Sequence, residues 1–229
     1  MANNALIVGA GSGLSASLAR RFTADGMKVA LAARDPGKLA ALCSETGAAA
    51  FACDATQPDQ VAKLFDDAIA ALGPLDVVVF NPSARAGGPT TELDPAAVLR
   101  ALTISAFGGF LVGQAAARHM LPRRAGAILF TGASASVKGY PQSAAFAMGK
   151  FALRGLAQSM ARELSPQGIH IAHFVIDGGI RSAARVDPAD RPDSLLDPDA
   201  IAETYLHVVK QHRSAWTWEV ELRPWVERF

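Results

Sequence analysis

The sequence predicts an α/β fold, a doubly wound and mostly parallel sheet of seven strands with helices packed on both faces. Three observations predict it. Short apolar runs alternate with amphipathic stretches along the chain, the pattern of repeated strand–helix units whose crossovers cover both sides of a parallel sheet. The first such run, Leu6-Ile7-Val8, leads into Gly9, Gly11 and Gly13 and then into Leu14, Leu18 and Phe22 at helical spacing, so the glycines form the turn between a buried strand and a helix. The third observation is size: 229 residues, half of them apolar, suffice for a large core, and a single domain over 1–229 is expected.

Taken in order, Lys28 to Ala33 reads as the second strand. Asp35-Pro36 opens a helix, the aspartate offering an N-cap oxygen and the proline taking the first helical position; the same pair recurs at Asp94-Pro95 and Asp197-Pro198. Ala49 to Cys53 is the third strand. From Pro58 to Leu72, the apolar Val61, Leu64, Phe65, Ala68, Ile69 and Leu72 share one face, as in a helix packed on a sheet. Leu75 to Phe80 is the fourth strand, Ala96 to Met120 a long helix, Gly126 to Phe130 the fifth strand, Ser143 to Leu164 a second long helix, and Ile169 to Ile176 the sixth strand. A loop rich in Pro, Asp and Arg, Arg181 to Pro198, leads to a helix over Asp199 to Gln211 and a last strand near Trp216 to Leu222. The aromatic tail (Trp216, Trp218, Trp225 and Phe229) packs on the chain's own edge or on a partner subunit. The two long helices carry Ala115, Ala116, Ala117, Ala152, Leu153, Leu156 and Ala157, more apolar surface than one sheet covers, which predicts pairing across a two-fold axis into a homodimer or homotetramer.

Composition narrows the partners. Lys plus Arg number 22 against 21 Asp plus Glu, so no global field recruits nucleic acid or an anionic membrane. Cys43 and Cys53 lack metal-ligand spacing and read as small apolar residues in a reducing compartment, and the five histidines show no metal-binding pattern, so no metal is expected. No basic segment followed by a long apolar one opens the chain and no run approaches 18 apolar residues, which predicts a soluble cytoplasmic protein acting on a small molecule.

The Gly9–Gly13 turn has the chemistry of a phosphate cradle. Glycines let backbone approach a pyrophosphate, and the helix that follows presents free N–H groups and a positive dipole end. An NAD-preferring fold usually ends its second strand with an acid that bonds the ribose hydroxyls; here Leu31-Ala32-Ala33 is followed by Arg34, which suits a 2′-phosphate. Asp54, just beyond the third strand, either bonds an adenine amino group or caps its own turn.

In this order and spacing the chain resembles the short-chain dehydrogenase/reductase family along nearly its whole length. The family's Gly-x-x-x-Gly-x-Gly is met by Gly9 and Gly13, with Ser15 at the third glycine; Asp54 falls at its adenine-contacting acid; Asn81-Pro-Ser83 stands where it has Asn-Ala-Gly, and Asp177-Gly178-Gly-Ile180-Arg-Ser182 where it has Pro-Gly and a following Thr. The resemblance implies a Rossmann-type fold and a nicotinamide cofactor, read with Arg34 as NADP and held by Gly9, Gly11, Ser12, Gly13, Leu14, Arg34, Asp54, Ala55, Asn81, Lys150, Ile180 and Ser182. The family's Tyr-x-x-x-Lys is met by Phe146-Ala-Met-Gly-Lys150, which keeps the lysine and loses the phenol. Its serine, thirteen residues earlier, becomes Ala133, with Ser134 and Ser136 nearby, and its asparagine aligns with Ser105. Three of four relay positions are thus changed, and phenylalanine has no proton to give. Lys150, Ser134 and Asp177 are the candidate catalytic residues. Asp177 is read either as a carboxyl whose pKa is raised in the cleft, acting as general acid, or as a turn residue before two glycines. Tyr140 either donates a proton or walls the pocket. Three functions follow: an NADP(H)-dependent oxidoreductase that reduces an imine or activated C=C bond without the tyrosine, an inactive NADP(H)-binding sensor or partner subunit, or a non-redox enzyme on the same fold.

Overall fold

The computed structural model describes residues 3–227. Seven strands form one sheet in the order β3-β2-β1-β4-β5-β6-β7: β1 Asn4–Val8, β2 Lys28–Ala33, β3 Ala49–Ala52, β4 Val77–Phe80, β5 Gly126–Thr131, β6 Ile169–Ile176 and β7 Glu219–Leu222. Every neighbouring pair is parallel, as apolar runs buried on both faces require. Alternate side chains feed two cores. Ile7, Leu31, Val79, Leu129 and Phe174 point to the side of α1 (Leu14–Ala24) and α7 (Pro198–Val209). Leu6, Ala30, Val78, Phe80, Ile128, Phe130 and Ile171 point to the side of α3 (Pro58–Leu72), α5 (Gly108–Met120) and α6 (Ala144–Leu164).

The Asp-Pro pairs do what their chemistry predicts. Asp94 accepts the backbone N–H groups of Ala96 and Ala97 at the start of α4 (Pro95–Leu102), and Asp197 accepts that of Asp199 at the start of α7. Asp35 caps only a single 3₁₀ turn, Pro36–Leu39, before the short α2 (Ala40–Thr46).

Three expectations need correction. The long helix predicted over 96–120 is two helices joined by a π turn at Thr103–Phe107, whose extra residue per turn brings Ser105 inward until it is 1% exposed. The stretch Pro95–Arg123 is also long and apolar enough to cross a membrane by length and composition, against the expectation of no such run; in the fold its inner side packs on the sheet, with Val112, Ala116 and Met120 fully buried. The last strand is shorter than its aromatic run. Arg213–Ala215 forms a 3₁₀ turn and Trp216 stacks flat on His170 at 4.7 Å, so pairing with β6 begins only at Glu219. Trp216 and Trp218 thus pack on the chain's own edge, Trp225 is exposed, and Phe229 lies outside the described residues.

β1 is flanked by β2 on one side and β4 on the other, so the connections leaving β1 and β4 diverge and open a crevice beyond their carboxyl ends.

Candidate active site

The glycine turn expected to cradle phosphate lies at that crevice. Gly9 sits at φ +80°, where an L side chain is strained, and a Cβ there would stand 2.7 Å from the Pro82 ring, so the close approach of the β1 and β4 loops requires glycine. Ser15 Oγ donates to the Gly9 carbonyl at 3.1 Å and accepts from Asn81 Nδ2 at 2.7 Å, tying the same loops together. Gly11 and Gly13 face open space, no side chain caps α1 at Gly13, and its first turn carries no acid. Unpaired N–H groups at a helix start, in front of a surface cleared of Cβ atoms, fit the pyrophosphate of a dinucleotide. Ser12 is exposed on this loop, and Leu14 reaches from it into the cavity described below.

Arg34 follows β2, exposed and with no acid within 4 Å among the described residues. Asp54 Oδ1 accepts both the backbone N–H and the hydroxyl of Thr56, which makes it a turn cap. Ala55, beside it, is pressed by Gly108, where a Cβ would come within 3.1 Å of the Ala55 carbonyl.

A cavity of about 300 Å³ lies beyond the carboxyl ends of β4, β5 and β6. Its walls include Leu14, Asn81, Ala133, Phe146, Lys150 and Ile180 among the expected residues, together with Arg85, Thr131 and Arg185. Lys150 is 2% exposed and donates from Nζ to the Thr131 carbonyl at 2.7 Å. Burial, with the charge of Arg85 adding to it, pushes its ammonium down to about 7. Thr131 is itself held, its hydroxyl sharing a 2.9 Å hydrogen bond with that of Tyr205, which stacks on Phe174 deep in the core. The Arg85 guanidinium lies 4.2 Å from the centre of the Phe146 ring, one helical turn from Lys150. Behind this wall His173, fully buried, bonds Glu219 through Nδ1 at 3.0 Å, and Glu219 takes two hydrogen bonds from Arg154. Burial outweighs the neighbouring Glu219 and lowers His173 to about 4, so it is neutral at pH 7.

Two candidate catalytic residues are displaced from this wall. Asp177 is 1% exposed and held by Lys138 Nζ at 2.8 Å and Arg223 at 3.4 Å, and it does not line the cavity. Burial raises its pKa, but the hydrogen bonds from Lys138 and Ser134 and the charges of Lys138 and Arg223 outweigh burial, and the carboxyl stays below its ordinary value. The expected raised pKa is therefore wrong in sign: a carboxylate clamped by two cations is a poor proton donor. Ser134 is spent on Asp177, and it too is absent from the cavity wall, where Ala133 stands instead. Ser136 is fully buried and accepts the backbone N–H of Ala133. Neither of the chain's two tyrosines reaches the cavity, Tyr205 being core and Tyr140 46% exposed elsewhere. Ser182 closes a tight turn with Arg185. Sequence reasoning missed Arg85 and Arg185; the available signal was an arginine in each loop that follows a strand's carboxyl end, at β4 and at β6.

The family model for short chain dehydrogenase matches residues 3–189. A crystal structure of a short-chain dehydrogenase from Rhodopseudomonas palustris is 36% identical and superposes with a TM-score of 0.84, covering 97% of this chain and 99% of that one. A metagenomic short-chain oxidoreductase solved in complex with NADP is 27% identical, with a TM-score of 0.84 over 97% of each chain. Among curated relatives, "Inactive 2-(S)-hydroxypropyl-CoM dehydrogenase 2" of Xanthobacter autotrophicus is 35% identical over 190 residues, 81% of this chain and 79% of that protein. Short chain aldehyde dehydrogenase 1 of Euphorbia lathyris is 30% identical over 178 residues, 73% of this chain, and the match spans 60% of that longer protein. With its parallel seven-stranded sheet, its glycine turn and these relatives, the chain belongs to the short-chain dehydrogenase/reductase family of oxidoreductases.

Proposed function

We propose that this protein is an NADP(H)-dependent oxidoreductase in which Lys150 supplies the proton that a tyrosine supplies elsewhere in the family, and that it reduces imines or activated C=C bonds. The observation that carries this reading is Lys150 itself: a buried amine on the cavity wall, brought to about 7 and held by one carbonyl, beside Phe146 in the tyrosine's place. Gly9, Gly11, Ser12, Gly13 and Asn81 hold the cofactor's pyrophosphate end, Arg34 its 2′-phosphate, Asp54 and Ala55 its adenine side, and Leu14, Ile180 and Ser182 its nicotinamide side. Bound there, the cofactor supplies a hydride. Lys150 gives a proton from Nζ to the substrate atom that becomes electron-rich, Thr131 keeps the amine aimed, and Phe146 excludes water from that side. An iminium substrate needs no proton at the moment of hydride addition, which is why a site without a phenol suits it.

The same reading makes the protein a cytoplasmic homodimer or homotetramer. Phe107, Phe110, Met148 and Phe151 are exposed on the helices from α4 to α6, with Phe107 stacked on Phe110 at 6.3 Å, an apolar surface of the kind a second copy covers. Cys43 and Cys53 are unpaired, in keeping with a reducing compartment.

A second reading, an inactive NADP(H)-binding sensor or partner subunit, draws on Ala133 and Phe146 both facing the cavity and on the relative named as inactive. A screen of NADPH oxidation against imines, enones, quinones and aldehydes decides between them. Turnover with imines or enones is expected; tight NADPH binding with no turnover in any class favours the second reading.

A further inference from the structure

Arg85 and Arg185 face the cavity from opposite loops, one following β4 and the other following β6. Around them the arginines and acids are matched: Arg154 holds Glu219, Arg181 holds Asp187 and Asp197, and Asp177 is held by Lys138 and Arg223. Arg85 and Arg185 differ, since neither has an acid within 4 Å among the described residues, and no acid lines the cavity. Both side chains are exposed, and each rests on one neighbour at the cavity rim. The Arg85 guanidinium lies over the face of Phe146, and Arg185 packs across Gly179, where a Cβ would meet its Nη1 at 3.0 Å. Two guanidinium groups and a buried lysine around one cavity leave an excess of positive charge that an anion would neutralise, and a planar carboxylate matches the guanidinium fork with two parallel hydrogen bonds.

We propose that Arg85 and Arg185 form a carboxylate-binding end of the cavity, so that the substrate is an organic acid whose reducible bond lies toward Lys150. This rests on the oxidoreductase reading for the word substrate, but the anion site stands on its own geometry. Arg85 then has two duties. Free, it repels the Lys150 ammonium; with a carboxylate on it that repulsion is cancelled, so binding an acid favours the protonated lysine needed to complete reduction.

The test is calorimetric titration of the NADPH-loaded protein with pyruvate, benzoate and cinnamate, each against its amide, in the parent and in Arg85→Gln and Arg185→Gln, with NADPH affinity measured for each protein. At least one acid is expected to bind tenfold more tightly than its amide, and each variant is expected to lose most of that preference while holding NADPH within about twofold of the parent. Equal affinity for every acid and amide overturns the proposal. So does an Arg185→Gln variant that loses NADPH affinity and keeps the carboxylate preference, because Arg185 then serves the cofactor's phosphates. A carboxylate preference in a protein that oxidises NADPH with no imine, enone, quinone or aldehyde supports the anion site and removes the oxidoreductase reading; oxidation of NADPH by neutral imines or enones with no preference for acids does the reverse.

Discussion

The two ends of the crevice are made of different material. At the glycine-turn end, which we read as the phosphate end, the parts are backbone: the N–H groups at the start of α1, the glycines before it, and a Gly9–Pro82 contact that fixes how closely two loops approach. At the reactive end the working parts are side chains brought from separate elements: Lys150 from α6, Arg85 from the loop after β4, and Thr131 from the end of β5. A backbone cradle depends on a few residues adjacent in sequence and tolerates little change. A side-chain constellation can be altered one residue at a time while the fold stands, and on our reading Ala133, Ser105 and Phe146 are such alterations.

Breaking the cradle has the largest expected effect. Gly9→Ala combines a strained φ with a clash against Pro82 and is expected to cost about 1–3 kcal/mol of stability, read by thermal melting, and to weaken NADPH binding at least as much. Wild-type melting and wild-type NADPH affinity in this variant would mean that the loops relax freely. Restoring the reactive end sharpens the comparison. Phe146→Tyr with Ala133→Ser places two hydroxyls on the wall beside Lys150 and is expected to give carbonyl reduction with ketones and aldehydes that is about 10²-fold above the parent, the worth of a positioned acid. No gain would mean that the rest of the pocket is not arranged for a carbonyl. The smallest effect is at the outer edge: Arg34→Ala is expected to weaken NADPH about tenfold, or about 1.4 kcal/mol, and leave NADH unchanged, as calorimetry of both cofactors reads directly.

The sheet was legible because its strands are continuous apolar runs and its helices announce themselves with Asp-Pro and with one-sided apolar spacing; β2 and β6 match their expected limits and α3 does too. The π turn at Thr103–Phe107 was not legible, because its sequence has the spacing of an ordinary helix and only packing of Ser105 against Gly149 distinguishes it. The strand-to-helix glycine turn was legible because its parts are consecutive in sequence. Of the two readings of Asp177, the raised pKa fails because its pKa depends on Lys138, Ser134 and Arg223, which the chain brings from the turn after β5 and from just beyond β7. Arg85 was missed because its place in the loop after β4, the one signal available, does not separate a solvated side chain from one laid on an aromatic ring.

The claim that Lys150 is the proton donor is tested most directly by the pH dependence of kcat/KM for NADPH-driven reduction of a C=C substrate, measured for the parent and for Lys150→Met. A lysine brought down to about 7 is protonated below that value and neutral above it, so the parent is expected to hold its rate in mild acid and lose it as pH rises through about 7. Lys150→Met is expected to be slower by about 10²-fold or more and to lose that limb. A parent profile that stays flat from about pH 6 to about pH 9, or a Lys150→Met variant that turns over at the parent's rate, would contradict the account.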